Sequence, residues 1–184
     1  MFHIFFIKTN NNVVIDKLKG EISVHIIDVI SDDNSLKNNI FELFIKKKSI
    51  IISNSGITLK GRNYLINISD IPIKNNVKKI VMLSKKNYED ILLSKNDICI
   101  VKNDDINALR ILKRYHSPAV TCGLNLNDTL TFSSISTQHI LSLQRAVEAI
   151  NGNIIEPKEF KSRFYTENKY NELMINALFL LTET

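Results

Sequence analysis

Short apolar runs bounded by polar turn residues alternate with amphipathic stretches along this chain. Residues 2–7 (FHIFFI), 22–30 (ISVHIIDVI) and 79–84 (KIVMLS) are β-branched or aromatic and read as strands, with a turn at Asn10–Asn12. The run Ile50-Ile51-Ile52 is short and continuous, the pattern of a fully buried central strand. Between strands, Leu36, Ile40, Leu43 and Phe44 recur at helical spacing after the polar break Ser31–Ser35, and Lys46–Lys48 close the last turn. Tyr88, Ile91 and Leu92 suggest a second, shorter amphipathic helix, after a connection over Asp70–Asn76 that contains Pro72. His25 lies inside an apolar run with no partner motif and reads as a core or edge residue.

The stretch 97–136 is the most informative. Its apolar run Ile98, Ile100, Val101 meets the polar corner Lys102-Asn103-Asp104-Asp105. A helix pattern follows, burying Ala108, Ile111, Leu112 and Tyr115 and leaving Arg110, Lys113 and Arg114 outward, until Ser117-Pro118 stops it. A strand then ends at Cys122-Gly123, and an alternating strand runs over 129–135. In open α/β sheets, ligands bind at such corners, at the carboxyl ends of strands. Asp104 or Asp105 also suits the plainer role of capping the helix and favouring its dipole. From Ala119 onward the pattern is β-rich, over 119–122, 129–135, 139–147 and 153–163, with turns at Asn125–Asp128 and Asn151–Asn153. Asn151-Gly152 is a good hairpin turn. A closing helix presents Tyr170, Leu173, Met174, Ala177, Leu178 and Leu181 on one face. The whole predicts an α/β fold of Rossmann-like type: a mostly parallel sheet flanked by helices, a β-rich C-terminal segment and a C-terminal helix.

Composition narrows the function classes. Of 184 residues, 44% are hydrophobic and 23% charged, which suits one folded domain and argues against overall disorder. The net charge of +5 comes from short lysine groups with acids between them, without the dense basic stripe of a nucleic-acid reader. Cys99 and Cys122 are too few and too far apart for a disulfide framework or a zinc site, so no metal is expected. The N-terminal apolar run lacks the basic lead-in of a signal peptide, and no apolar run reaches the ~18 residues of a membrane span. A soluble cytoplasmic protein is expected. Gly56–Asn63 (GITLKGRN) has the glycine spacing of a phosphate loop, but Arg62 and Asn63 stand where Lys and Ser or Thr are required. The following run 64–68 alternates like a strand, so a β-hairpin turning at Lys60–Asn63 accounts for the segment.

In motif order, KNDD (102–105), a helix to His116, VTCGL (120–124), NDTLTFSSI (127–135) and Glu167-Asn168-Lys169-Tyr170-Asn171 before the last helix resemble the later part of the central, ATP-binding domain of the Mur ligases. Those enzymes join amino acids to UDP-muramyl precursors of peptidoglycan. The resemblance covers roughly the C-terminal half. It implies one such domain over 1–184, with an α/β part at 1–118, a β-rich part at 119–163 and the closing helix at 168–182. It also implies a nucleotide site at Lys102, Asn103, Asp104, Asp105, Asn168 and Asn171, with ATP or another nucleotide as ligand. The departures fall on the catalytic machinery. The Gly-Lys-Thr core is absent, Lys102 stands where the family corner has asparagine, and Glu167 stands where it has histidine. Tyr165 replaces a glycine, and no His-x-Asp segment lies near Ser84–Tyr88.

Phosphoryl transfer depends on positioning and neutralising phosphates with backbone amides, lysine and magnesium. The resemblance therefore implies a scaffold without catalysis: a binding or regulatory module in cell-wall precursor metabolism, directed at a nucleotide, a UDP-sugar precursor or a protein partner. The alternative from the enzyme class is an ATP-dependent amide ligase component completed by a partner chain. Nucleic-acid binding rests on a pI near 9.1 alone. The segment 142–160 adds a candidate binding face at Gln144, Arg145 and Glu156, beside the plainer reading of an extended hairpin with outward charges.

Overall fold

The structure, a computed structural model, describes residues 4–6, 25–45, 49–53, 56–60, 64–69 and 77–182. The expected turn at Asn10–Asn12, the lysines Lys46–Lys48, the hairpin turn at Arg62-Asn63 and the connection Asp70–Asn76 lie outside the described residues. In chain order the elements are β1 (Ile4–Phe6), β2 (His25–Ser31), α1 (Asn34–Ile45), β3 (Ser49–Ser53), β4 (Gly56–Lys60), β5 (Tyr64–Ser69) and β6 (Lys79–Ser84). They continue with β7 (Ile98–Lys102), α2 (Ile106–Tyr115), β8 (Ala119–Cys122), β9 (Leu130–Ile135) and β10 (His139–Leu143). The chain closes with β11 (Val147–Glu148), β12 (Ile154–Ile155), β13 (Lys158–Lys161) and α3 (Lys169–Thr182).

Eleven of these strands form one mixed sheet in the order β1-β3-β4-β5-β2-β6-β7-β8-β9-β10-β13, and β11 pairs with β12 in a separate ribbon. From β5 through β9 neighbours are parallel. Antiparallel pairs join β3, β4 and β5 at one end, and β9, β10 and β13 at the other. The fold is thus α/β, with a large, mostly parallel sheet and a C-terminal helix. β6 is buried along its whole length, as the apolar run Ile80–Leu83 requires of a strand covered on both faces, with Lys79 and Ser84 buried at its ends.

Strand alternation sorts the core into two layers. Ile80 and Met82 of β6, with Ile98 and Ile100 of β7, face α1 and α3. Val81, Leu83, Cys99 and Val101 point the other way, onto Ala108, Ile111 and Leu112 of α2. Helix α1 begins where the Asp33 carboxylate accepts the Leu36 amide at 3.1 Å, and it buries Leu36 and Ile40 one turn apart. Helix α2 begins at Asp105, whose carboxylate accepts the Ala108 amide at 2.9 Å. It ends with His116 in the left-handed region and Lys113 and Arg114 in its last turn, on the negative end of the dipole. Both cysteines are free and buried, and burial pushes both thiols up.

The hairpin expected around residues 56–69 is present as β4 and β5. That at Asn151-Gly152 is present as β11 and β12, with Gly152 at φ 90°. Four expectations need correction. Residues 85–97 form turns rather than a helix. There Tyr88, Ile91 and Leu93 are buried and Leu92 is 56% exposed. Side chains take the backbone bonds a helix would use: the Lys85 amide donates to the Tyr88 hydroxyl, and the Asp97 carboxylate accepts the Ser94 amide. The run Ile50–Ile52 belongs to β3, which is second from the end of the sheet, between β1 and β4, rather than central. The region 139–147 breaks after Leu143, so β10 stays in the main sheet and β11 leaves it.

Finally, α3 is buried on more than the one apolar face expected. Besides the expected apolar face, Asn171, Glu172, Ile175 and Asn176 are buried, whereas Tyr170 is half-buried. A polar network makes this possible. Glu172 accepts from Ser162 Oγ at 2.9 Å, lies 2.6 Å from His139 Nδ1, and meets Lys169 Nζ at 3.3 Å. The Asn176 amide group donates to Ser162 Oγ and to the carbonyls of Phe164 and Glu172, while its oxygen accepts the Arg163 amide. Buried polar groups so fully paired cost little.

Candidate functional site

The carboxyl ends of β2, β7 and β8 and the amino ends of α1, α2 and α3 meet at one corner, tied together by polar side chains. Lys102, the last residue of β7, places its ammonium 3.8 Å from Asp33 Oδ2 and 6.0 Å from the centre of the Tyr170 ring. Asn171 donates its amide N–H to the same Asp33 oxygen at 3.0 Å. Asn103 donates to Asp128 Oδ2 at 2.9 Å, and its backbone amide continues the ladder to the Cys122 carbonyl. Asp128 also accepts the Asn125 amide, which folds the 123–128 loop back onto the corner. Gly123 makes this close approach feasible: a Cβ there would lie 2.2 Å from Asp128 Oδ2 and 2.4 Å from Asn103 Cγ.

Electrostatically the corner is acidic. Burial raises the Asp33 pKa, but the Asn171 hydrogen bond, the Leu36 amide and the Lys102 charge outweigh it and hold the carboxyl below its ordinary value. The Tyr170 hydroxyl is pushed up, first by desolvation and then by Asp104 and Asp128. A carboxyl with a depressed pKa adds stability above its ordinary value of 3.8, and that stability is lost as pH falls through the folded value. Asp33→Asn is therefore expected to flatten the loss of stability on acidification below about pH 5, in urea titrations repeated across pH. An unchanged acid limb would show that Asp33 is not held as described.

Most of the corner residues expected from sequence do meet here. Lys102, Asn103 and Asn171 belong to the network, and Asp104, exposed on its rim, acts electrostatically on the Tyr170 hydroxyl. Asp105 is turned away into α2 capping and accepts the Tyr88 hydroxyl at 2.5 Å. Asn168 caps α3, its side-chain oxygen taking the amides of Tyr170 and Asn171 at 3.1 and 3.2 Å. The second candidate face is dispersed: Gln144 bonds Ser142, Arg145 donates to the Asn127 carbonyl, and Glu156 is exposed beyond β12. Sequence reasoning missed Asp33, Asp128 and Tyr170 as members of the corner. Asp33 had a usable signal, since it follows strand β2 at the same carboxyl edge as Lys102.

Two amide oxygens at this corner lack partners. The Nδ2 groups of Asn103 and Asn171 are committed to carboxylates, which fixes the amide orientation, because the reverse would set oxygen against oxygen. Both Oδ1 atoms are buried without a donor, and Asn171 is wholly buried. An unmade hydrogen bond of this kind costs about 1–3 kcal/mol. Two hollows lie elsewhere. One, of about 350 Å³, is lined by Phe160, Arg163, Asn176 and Phe179 among others, and one, of about 460 Å³, lies between residues 86–89 and α2. Neither includes Lys102, Asn103 or Asn171. Among the described residues no cluster of histidine, cysteine and carboxylate side chains could hold a metal ion, and no helix is long and apolar enough to cross a membrane.

No protein-family model matches the chain, and no curated protein matches it.

Proposed function

We propose that this chain is a non-catalytic, Rossmann-like module of Mur-ligase type, which binds a nucleotide or UDP-sugar precursor in cell-wall precursor metabolism. The observation that carries the binding half is the pair of orphaned amide oxygens of Asn103 and Asn171 at the carboxyl edge of the sheet. A bound ligand with N–H donors would repay that cost, and ligands of open α/β sheets bind at this edge.

The non-catalytic half is supported by how the acids are used. Asp33 caps α1 and holds Asn171, Asp105 caps α2, and Asp128 holds Asn103 and the 123–128 loop. Carboxylates engaged in this way are poorly placed as a general base or as magnesium ligands. The chain also lacks the Gly-Lys-Thr core that would position phosphates.

Isothermal titration and thermal-shift measurements with adenosine, ATP and UDP-N-acetylmuramic acid test the reading, together with release of inorganic phosphate from ATP. Binding of at least one ligand, weakened by Asn171→Leu and without phosphate release, is expected. Binding of none would overturn the binding half. Phosphate release by the isolated chain would overturn the other.

A further inference from the structure

The chemistry around the two orphaned oxygens says more about the ligand. Asp33, Asp104 and Asp128 all act on the cluster of Lys102, Asn103, Tyr170 and Asn171. The one lysine in that cluster already faces Asp33. The positive amino ends of the helices, which could otherwise receive an anion, are occupied internally by Asp33, Asp105 and Asn168. A phosphate brought here would meet carboxylates in place of free amides.

What the corner offers instead is acceptors and a ring. The Asn103 and Asn171 oxygens are acceptors without donors. The Tyr170 ring is half-exposed and already carries the Lys102 ammonium 6.0 Å from its centre. Such a ring can stack on a flat heterocycle while an adjacent acceptor takes an N–H from it. A ligand reaches the buried Asn171 oxygen only if side chains at the corner move, and Lys102, held by a loose ion pair and a ring contact, is free to do so.

We propose that the corner takes a flat aromatic amine, neutral or cationic, and rejects its phosphorylated forms: a nucleoside rather than a nucleoside polyphosphate. This rests on the binding reading above for the site and the heterocycle, and departs from it in excluding the phosphates of a nucleotide or UDP-sugar.

Three probes separate the cases by isothermal titration at low salt: adenosine, purine riboside, which lacks the exocyclic amine, and ATP. Adenosine is expected to bind, purine riboside about tenfold more weakly for want of the donor, and ATP at least about tenfold more weakly for its charge. Asp104→Asn, a change at the exposed rim, should narrow the gap between adenosine and ATP, and added salt should narrow it too. Tyr170→Leu should weaken adenosine while leaving the thermal midpoint near that of the parent chain. ATP binding as tightly as adenosine would overturn the phosphate rejection while leaving the binding reading intact. Purine riboside binding as tightly as adenosine would overturn the assignment of the amine. Binding of none of these probes or of UDP-N-acetylmuramic acid would remove the binding reading and this inference with it.

Discussion

Asp28→Ala is expected to destabilise the protein by about 3–5 kcal/mol in equilibrium urea unfolding, the cost of breaking a buried ion pair by removing one partner. Asp28 is fully buried on β2, and its carboxylate lies 3.2 Å from the Lys79 ammonium, which is itself only 4% exposed. Along the same sheet face Asn67 donates to Asp28 at 3.0 Å and to Ser69 at 2.8 Å, and Thr58 reaches the Asn67 oxygen at 3.5 Å. Three neighbouring strands thus carry one polar row through the core, in register at Asp28, Asn67 and Thr58. Asp97 lies within electrostatic reach of Lys79; its carboxyl is pushed up by desolvation despite the Ser94 amide and that lysine. The double variant Asp28→Leu, Lys79→Met should recover part of the loss, because two apolar residues replace the pair, while Asp97 loses the lysine and Asn67 an acceptor. If the single variant costs under about 1 kcal/mol, the pair is solvated and the buried row is not as described.

Gly123→Ala should have the next largest effect, and its action is local to the candidate site. The added methyl group would meet Asp128 Oδ2 and Asn103 Cγ well inside van der Waals distance. Neither is a loose chain end: Asn103 is hydrogen-bonded to Asp128, and Asp128, only 5% exposed, holds the Asn125 amide as well. Overpacking of this kind costs about 1–3 kcal/mol, corresponding to roughly 2–12 °C in Tm for a chain of this size. Amide NMR signals of Asn103 and Asn125 should shift, whereas those of β4 and β5 should not. A parent-like Tm would mean that the 123–128 loop does not pack on the corner.

How far the sequence revealed this molecule depends on the range of the interactions involved. Helices α1 and α2 were legible because Leu36 and Ile40, or Ala108, Ile111 and Leu112, repeat within one or two turns and a capping aspartate stands in front. Tyr88 and Ile91 imitate that spacing, but the Tyr88 hydroxyl and the Asp97 carboxylate take up local backbone amides, and the segment turns instead. No periodicity rule separates the two outcomes. Helix α3 was legible from its apolar face, but the burial of Glu172 and Asn176 was not, because their partners Ser162, His139 and the Phe164 carbonyl come from the preceding strand and loop. The corner itself was half legible. Lys102 to Asp105 are marked by position at a strand end, whereas the role of Asp33 depends on Asn171, from the far end of the chain.

That last contact also bears on the order of events in folding. Asp33 and Asn171 are 138 positions apart, so their hydrogen bond closes a loop that spans most of the chain. The entropy of such a closure is paid before the contact returns anything, which places it late in folding and makes it dependent on prior docking of α3 against β7, β8 and β9. During synthesis the sheet strands from β2 to β9 emerge before α3, so the corner acquires Asn168, Tyr170 and Asn171 only once that helix has left the ribosome. Closure of this corner would then report that α3 has docked on the sheet.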